Sequence, residues 1–370
     1  MVDPTAGVAP RHLSTERPIR TAVVGYGLAG SVFHAPLVSA TDGLALSAVV
    51  TSNPDRATAA RERYPDIRVV ASVDELLAGR DVAESNEIDL VVVASPNASH
   101  VPVALAAIRA GHHVVVDKPV AATVAAAVEL RDAAAAAGVL LSVFHNRRFD
   151  GDALTVRDLL DGGHLGTVWR FESRYERWRP QVKAGAWREH PDPAAAGGLL
   201  YDLGSHLIDQ ALTLFGPVST VYAELRAVRP GAEVDDDVFV ALSHVSGVRS
   251  HLWASSVAAD LGPRLRVLGS EAAYVKYGLD VQEQSLRDGH LPGEPDWGVE
   301  PESAWGRLGT PERNRPVPTR PGSYQDYYTG VRDALLGRGP VPVTIDQAID
   351  VLAVIEAARR SARSSTVVTL

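Results

Sequence analysis

The sequence predicts an α/β domain with a doubly wound parallel sheet, followed by an α+β domain with a large open, mainly antiparallel sheet. Three observations lead to this prediction. Short apolar runs alternate with helical segments as far as residue 144, and alternating β-patterns dominate from residue 169 to residue 278. The chain has 370 residues, which is enough for two hydrophobic cores. The predicted boundaries are an extension at 1–18, the first domain at 19–145 and the second at 146–370, with a last helix that could pack back on the first domain.

In the first domain, strand and helix signals alternate regularly. Asn53-Pro54-Asp55 opens a helix, because proline is well tolerated in a first helical turn, and Ser72 to Glu75 resembles a capping box. The near-continuous apolar run at 88–94 is typical of a parallel strand buried on both faces. After a first strand that begins at residue 21, we predict strands at 44–50, 67–70, 88–94, 112–117 and 139–144 and further helices at 98–110 and 121–137.

The second domain is predicted to be rich in antiparallel strands. The segment 290–322, rich in proline, glycine and charge, predicts a long surface loop. Strands are expected at 169–178, 219–228, 238–245, 249–255, 264–270, 272–278 and 366–370, and helices at 153–161, 199–214, 324–336 and 346–363. One face of the sheet should pack on helices. The other should expose apolar residues and form an interface between copies, with Val221, Leu225, Val240, Leu242 and Leu252 on it.

Composition restricts the classes of function. The net charge is −9 and no Lys/Arg cluster occurs, which argues against a nucleic-acid partner. No apolar run reaches the ~18 residues that a membrane span needs. The chain has no cysteine, so disulfides, thiolate metal sites and a cysteine nucleophile are excluded. Residues 1–18 lack the apolar core of a signal peptide, and we expect them to be a flexible extension of a cytoplasmic protein.

The first strand ends in a glycine pattern, Gly25-x-Gly27-x-x-Gly30, and a helix follows. Gly25 permits a tight turn, Gly27 lets the backbone approach a phosphate, and Gly30 allows close packing of the helix. The helix N-terminus directs N–H groups and a partial positive charge at the anion. We interpret this as a dinucleotide-binding Rossmann turn, in which Leu28 and Ala29 also contact the cofactor. An ordinary βα turn is the alternative.

The end of the second strand indicates which dinucleotide binds. Enzymes that use NAD usually have Asp or Glu there, to bind the ribose 2′-hydroxyl. Here Thr51, Ser52 and Asn53 follow the strand, and no carboxylate occurs before Asp55. These three residues can donate hydrogen bonds to a 2′-phosphate, and Arg56 lies one helical turn further on. The sequence therefore predicts NADP as the preferred cofactor, with NAD possible.

The segment SPNASH follows the fourth strand and should lie at the cofactor cleft. Its position makes Ser95, Pro96, Asn97 and His100 candidates for contact with the cofactor. Asn97 and Ser99 are also suitable helix N-caps, which is the structural alternative.

Two further places carry candidate catalytic groups. Lys118 follows the fifth strand, so it should face the cofactor cleft, and the proline after it fixes the backbone. Asp202, His206 and Asp209 are spaced i, i+4 and i+7 along an otherwise apolar helix, so that they project from one face. A structural network and a metal site are alternatives, but no further ligand joins them at a suitable spacing, and we expect no metal.

These motifs together resemble the Gfo/Idh/MocA oxidoreductases, the family of glucose–fructose oxidoreductase and inositol dehydrogenase. The resemblance rests on GYGLAG, SPNASH, DKP and G-G-x-x-x-D-x-G-x-H and covers residues 20–345. It implies that Lys118, Asp202 and His206 form the catalytic group, although Asp117 replaces the commoner glutamate before the lysine. The branch with NADP-dependent scyllo-inositol dehydrogenases is the most similar, through HNRRFDGD (145–152), ERWRP (176–180), WRE (187–189) and YVKYGLD (274–280).

The resemblance implies hydride transfer between a nicotinamide and a secondary alcohol, and a homodimer or homotetramer built through the open sheet. An imidazole, whose ordinary pKa is about 6.5, suits His206 to accept the alcohol proton. Lys118 would stabilise the oxygen, Asp202 would hold a neighbouring hydroxyl, and Asp209 would orient His206 or serve structure alone. Polar and aromatic residues of the second domain suit a polyol or sugar substrate: Arg147, Arg148, Tyr175, Arg177, Arg179, Trp187 and Arg188. Two alternatives stay open, a reductase of another small substrate and a non-catalytic NADP-binding regulator.

Overall fold

The computed structural model describes residues 12–14, 16–78, 88–183, 185 and 187–370, without the side chain of Trp187. The chain divides into two compact units. The first comprises Met1–Phe144, Glu283–Pro295 and Tyr324–Ala348, and the second comprises His145–Gln282, Asp296–Ser323 and Ile349–Leu370. No helix in the described part of the chain is long and apolar enough to cross a membrane.

The first unit contains a parallel sheet of six strands in the order β3-β2-β1-β4-β5-β6. The strands are β1 (Ile19–Val24), β2 (Leu44–Val50), β3 (Arg68–Val70), β4 (Leu90–Val93), β5 (His113–Asp117) and β6 (Leu141–Phe144). The helices between them are α1 (Ala35–Ser39), α2 (Pro54–Arg63), α3 (Val73–Leu77), α4 (His100–Arg109) and α5 (Val124–Ala137). All four residues of β4 are buried, as expected for a strand covered on both faces. The predicted doubly wound sheet is confirmed, and the strand order reverses between β1 and β4, where such sheets bind ligands.

Side-chain caps determine where the helices begin. Asn53 Oδ1 accepts from Arg56 N at 3.0 Å, so α2 begins at Pro54 as predicted. Ser72 Oγ accepts from Glu75 N, and Glu75 Oε2 accepts in turn from the N–H of Ala71. The helix predicted at 121–137 begins three residues late because its cap is Thr123, and the one predicted at 98–110 begins at residue 100 after one 3₁₀ turn.

The described end of the predicted extension is attached to the first unit. The Arg17 guanidinium donates two hydrogen bonds to the carboxylate of Asp89, at 2.6 and 2.8 Å, and Asp89 also accepts from the N–H of Arg20. Burial acts to raise the pKa of Asp89, but the Arg17 and Arg20 contacts hold it below its usual value. Residues 1–11 and 15 of the predicted extension lie outside the described residues.

A sheet of nine strands forms the second unit, in the order β14-β13-β12-β11-β7-β10-β9-β8-β15. Its strands are β7 (Val168–Glu176), β8 (Val218–Arg226), β9 (Asp237–His244), β10 (Arg249–Ser255), β11 (Leu265–Gly269), β12 (Ala273–Lys276), β13 (Gly306–Gly309), β14 (Asn314–Val317) and β15 (Val368–Thr369). The remaining α-helices of the described residues are α6 (Gly151–Asp161), α7 (Ser205–Phe215), α8 (Gln282–Arg287), α9 (Tyr324–Leu335) and α10 (Ile345–Ser364). Strands β7 and β10 pair in parallel and the other neighbours pair antiparallel, which confirms the mainly antiparallel sheet.

The segment 290–322 is not the long loop that its composition predicted. It contains β13 and β14, which extend the sheet at one edge. Gly306 is needed in β13, because any side chain there would collide with the hydroxyl of Tyr274 on β12. Pro316 is tolerated because β14 is the outermost strand and one of its sides needs no backbone donor.

The assignment of apolar residues to the two sheet faces was also wrong. Val221, Val240, Leu242 and Leu252 are at most 1% exposed, so they lie on the covered face. Leu225 is half-buried, and because it is four residues from Val221 on β8 its side chain lies on the same face of the sheet. Because side chains alternate along a strand, the uncovered face carries the neighbouring positions instead. It presents a different set, formed by Phe239, Ala241, His251, Trp253 and Arg174.

Candidate active site

The glycine turn after β1 has the geometry that a dinucleotide needs. Gly25 has a φ of +96°, and a Cβ there would lie 2.6 Å from the carbonyl oxygen of Ala94. A Cβ at Gly30 would collide with the carbonyl oxygen of Gly25, so both positions require glycine. The space beside Gly27 is open, with Arg56 Nη1 the first atom at 3.7 Å. This open position fits a pyrophosphate against the backbone.

The helix after the turn begins with a wide π-type turn, Ala29–His34, in which the N–H of Ala35 donates to Gly30 O. Ser31 fixes the turn, because its N–H and its hydroxyl both donate to Gly27 O, at 2.9 and 2.7 Å. Leu28 is 44% exposed at the tip of the turn. Leu28 and Ala29 therefore lie where the sequence predicted cofactor contacts.

A cleft of about 270 Å³ lies at the carboxyl ends of β2 and β3. Thr51, Ser52 and Asn53 line it, as the prediction of a 2′-phosphate site requires. Arg61 and Glu75 also line it, and sequence reasoning missed both. Helical spacing could have indicated Arg61, because Pro54, Ala57 and Arg61 follow the i, i+3, i+7 pattern of one face of α2 and all line the cleft.

The SPNASH segment lies directly after β4. Ser95 is half-buried and its hydroxyl accepts from Ser99, while Pro96 is exposed and Asn97 begins the 3₁₀ turn. His100 differs from the prediction of a cofactor contact. It is 1% exposed, and its ring nitrogens lie 2.8 Å from the carbonyl oxygens of Pro119 and Ser95. Its ring is therefore engaged inside the first unit.

Lys118 stands immediately after β5, and its backbone N–H donates to Asp117 Oδ1 at 2.8 Å. Behind it lies a group that the sequence did not predict. His34 Nε2 is 3.7 Å from Asp117 Oδ2, and His34 Nδ1 is 2.6 Å from the hydroxyl of Tyr328. Burial acts to raise the pKa of Asp117, but His34, together with the charge on Lys118, lowers it below its usual value. Asp117 is thus an ionised partner beside the candidate catalytic lysine.

In the second unit, Asp202 and His206 lie at the beginning of one buried helix. Asp202 is on a π-type turn, Leu200–Gly204, and His206 is in α7, which continues it. Such turns are rare and occur often at functional sites. Arg188 Nε donates to Asp202 Oδ2 at 2.6 Å, so the structure joins a predicted substrate residue to a predicted catalytic one.

Asp209, one helical turn further along α7, has a different partner from the one proposed for it. The Arg148 guanidinium donates to its two carboxylate oxygens at 2.6 and 2.9 Å. His145 Nδ1 lies 3.8 Å from the same carboxylate. Asp209 therefore fixes Arg148, which removes Arg148 from the residues available to a substrate.

Tyr175 lies beneath the candidate site rather than on its surface. Its ring is 6.3 Å from that of His206, edge to face, and its hydroxyl donates to Asp150 Oδ2 and accepts from Arg264 Nη2. Burial raises the pKa of this hydroxyl. Tyr175 can support His206, but its polar atom is already engaged.

The other predicted substrate residues differ in their exposure and in their contacts. Arg147 is half-buried, with Nη1 3.5 Å from Asp150 Oδ1. Arg177 is half-buried and its N–H donates to Ser255 O, whereas Arg179 is exposed. Trp187 begins a 3₁₀ turn, and its side chain lies outside the described residues. Among the described residues, no three His, Asp or Glu side chains form a group that could hold a metal ion.

Comparison with known proteins decides the family. Residues 19–145 match the family model described as "Oxidoreductase family, NAD-binding Rossmann fold", and residues 157–370 match "Oxidoreductase family, C-terminal alpha/beta domain". The chain belongs to the Gfo/Idh/MocA oxidoreductase family. This confirms the resemblance and establishes an oxidoreductase with an NAD-binding Rossmann domain.

Relatives of similar length include proteins with and without a known reaction. The uncharacterized oxidoreductase YdgJ of Escherichia coli is 42% identical over 347 residues, covering 93% of this chain and 96% of that protein. The scyllo-inositol 2-dehydrogenase (NADP(+)) IolW of Bacillus subtilis is 36% identical over 356 residues, covering 95% and 96%. The solved structure of the oxidoreductase YvaA of Bacillus subtilis superposes with a TM-score of 0.88 at 36% identity, covering 96% of this chain and 99% of that chain.

Proposed function

We propose that the protein is an NADP-dependent dehydrogenase that transfers a hydride between the nicotinamide and a secondary alcohol or ketone of a polyol or sugar, with inositols as the favoured class. The observation that carries the proposal is that Lys118, Asp202 and His206 occupy the positions where the family's motifs place its catalytic group. The similarity to an NADP-dependent scyllo-inositol dehydrogenase along 95% of the chain supports the cofactor and the substrate class.

The proposal gives each of these residues one role. A bound nicotinamide supplies the hydride acceptor. His206 accepts the hydroxyl proton as the carbon that bears the hydroxyl loses its hydride. Lys118 donates a hydrogen bond to the substrate oxygen and stabilises its developing charge. Asp202 binds a neighbouring hydroxyl, and Arg188, 2.6 Å away, holds the carboxylate in place.

The substrate class is also supported by the donors available in the second unit. Arg188 is 42% exposed at its side chain although it pairs with Asp202, so part of its side chain can be reached from solvent. Arg147 and Arg177 are only half-buried. Arginine donors suit the hydroxyls of a sugar or polyol. We propose Arg147, Arg177, Trp187 and Arg188 as substrate-binding residues, with Tyr175 supporting His206 from beneath.

An absorbance assay tests this function. The protein is incubated at alkaline pH with NADP and, separately, scyllo-inositol, myo-inositol and glucose. We expect NADPH to form with at least one of them. If no NADPH forms with any of the three compounds, although the protein binds NADPH, the proposed substrate class is overturned.

The cofactor preference leads to a first prediction. Replacing Arg56 with alanine is expected to raise the KM for NADP roughly tenfold to 10²-fold, because a hydrogen bond to a charged group contributes about 1.5–3 kcal/mol and about 1.4 kcal/mol corresponds to a factor of ten. The KM for NAD should rise less, because Arg56 Nη1 also lies beside Gly27 at the pyrophosphate position that both cofactors share, whereas only NADP carries the 2′-phosphate. Steady-state kinetics with both cofactors measures the two values.

Arg63→Ala is the matched control. Arg63 is in the last turn of the same helix, with its guanidinium 5.8 Å from the ring of Tyr64. It should alter neither KM. If the KM rises equally for NADP and NAD in the Arg56 variant, or if the wild-type protein prefers NAD, the assignment of Arg56 to the 2′-phosphate is refuted.

We further propose that the uncovered sheet face joins copies of the chain into a homodimer or homotetramer. Phe239 and Trp253 pack there with their ring centroids 5.3 Å apart, and the Arg174 guanidinium lies 3.9 Å from the Trp253 ring. Glu172 pairs on the same face with Arg170 and Arg266. An aromatic centre with a charged border is typical of protein interfaces. Light scattering that gives a monomer at micromolar concentration would contradict this proposal.

A further inference from the structure

Both ring nitrogens of His100 lie at hydrogen-bond distance from a carbonyl oxygen. Nδ1 lies 2.8 Å from Pro119 O and Nε2 lies 2.8 Å from Ser95 O. Both partners are carbonyl oxygens, which can only accept. A neutral imidazole has one N–H and one lone pair, whereas an imidazolium has two N–H groups. A neutral ring would therefore leave one nitrogen lone pair facing a carbonyl oxygen at hydrogen-bond distance.

The groups around His100 act on its protonated form in opposite directions. Burial is the largest influence and holds the pKa of His100 below its usual value, with His34 acting in the same direction, while the Asp117 carboxylate and the two carbonyl acceptors act to raise it. Asp117 is itself ionised, because its own pKa lies below the usual value. The other titratable groups of this cluster are His34, which lies 3.7 Å from Asp117 and contacts Tyr328, and Lys118. A buried charge is tolerated better when it is hydrogen-bonded and a counter-charge acts on it, and His100 has two carbonyl acceptors and the attraction of the Asp117 carboxylate.

We propose that His100 is held as a doubly protonated imidazolium and acts as a positioning residue for Lys118. One N–H binds Ser95 O in the loop after β4, and the other binds Pro119 O in the loop after β5. The ring thus joins the two loops that carry the proposed cofactor contacts and the proposed catalytic lysine. The positioning role rests on the proposed function; the protonation state does not.

The physical reason is the proximity of this contact to Lys118. Pro119 is the next residue, so the carbonyl held by His100 fixes the backbone from which the Lys118 side chain extends. A displacement of a reacting group by about 1 Å can lower a rate on the order of 10²-fold. Charge-assisted hydrogen bonds are roughly twice as strong as neutral ones, so an imidazolium holds both loops better than a neutral ring.

Two substitutions separate the two contacts. In His100→Asn the amide nitrogen occupies the place of Nδ1 and can still donate to Pro119 O. In His100→Gln it occupies the place of Nε2 and can donate only to Ser95 O. We expect His100→Gln to lower kcat by roughly tenfold to 10²-fold with little change in the KM for NADP, and His100→Asn to retain clearly more activity. If kcat falls equally in both variants, in proportion to their loss of thermal stability, the role of His100 is merely structural and the proposal is overturned.

His290 supplies the matched control, because it is exposed and pairs with Glu294 in the same unit. His290→Asn and His290→Gln should leave kcat unchanged. If both His100 variants fail to fold, the wild-type protein still tests the proposal through the ring protonation of His100.

That measurement is ¹⁵N NMR of protein labelled at the histidine rings, with the His100 signals assigned through bonds to its backbone, at a pH of about 7.5. We expect two protonated nitrogens on this ring. One unprotonated nitrogen overturns the proposal. The NMR result does not depend on dehydrogenase activity. If no polyol gives NADPH and the His100 ring is nevertheless an imidazolium, the proposed function fails and the proposed protonation state of His100 stands.

Discussion

Replacing His206 with alanine is expected to lower kcat by roughly 10²–10⁴-fold, the usual contribution of general acid–base catalysis. His206 is buried at the beginning of α7, one helical turn beyond Asp202, and its ring contacts that of Tyr175 at 6.3 Å. Without the imidazole, the variant lacks the proposed acceptor of the alcohol proton. The KM for NADP should change little, because the glycine turn and the proposed 2′-phosphate cleft belong to the first unit.

The measurement is steady-state kinetics with the polyol that gives the highest rate, together with thermal unfolding of each variant. His164→Ala is the control, since His164 is exposed in the same unit and follows α6. It should leave kcat unchanged. Near-normal turnover by a folded His206 variant would remove His206 from the mechanism and move the proton acceptor to another group.

Much of the first unit could be predicted because its signals are local. The apolar run of β4 is a short, continuous segment, and the glycine turn fits within six residues. Asn53 and Ser72 cap helices through residues only three positions away. Interactions of this range can be read along the chain, and most of the predicted strands and helices of this unit were confirmed.

The features that sequence reasoning missed depend on distant parts of the chain. His34 contacts Tyr328, which is 294 residues away, so no local pattern could join them. His100 was placed at the cofactor because its position follows β4, but its orientation depends on the carbonyl of Pro119, 19 residues later. The two faces of the sheet were confused because alternation gives the period of a strand and not which face is covered.

The second large effect is expected from Arg264, the residue directly before β11, which is buried in a cluster of polar groups. Its Nη2 donates to the hydroxyl of Tyr175 and to Gln210 Oε1, each at 2.8 Å, and its Nε lies 3.5 Å from Asp152 Oδ2. Burial raises the pKa of the neighbouring Asp150 well above its usual value, and the Arg147 and Arg264 charges oppose that rise. The positive charge of Arg264 therefore stabilises carboxylates that are cut off from water.

Arg264→Met keeps an unbranched side chain as far as the position of Nε and removes the charged guanidinium. We expect the free energy of unfolding to fall by about 3–5 kcal/mol, because removing one partner leaves uncompensated buried charge. Urea denaturation at one fixed protein concentration measures the change. Arg266→Met is the matched control, because Arg266 lies in β11 on the uncovered face, where it is 41% exposed and pairs with Glu172. That pair should contribute at most about 1 kcal/mol.

The pH dependence distinguishes lost charge compensation from lost packing. Without Arg264, the pKa of Asp150 in the folded protein rises further above its unfolded value of about 4. The folded variant then binds more protons than the unfolded chain, so its stability increases as the pH falls through this raised pKa. The difference between wild type and Arg264→Met should therefore shrink towards pH ~4. A difference that stays constant across that range would assign the effect of Arg264 to packing against Tyr175, whose ring its guanidinium covers at 4.0 Å.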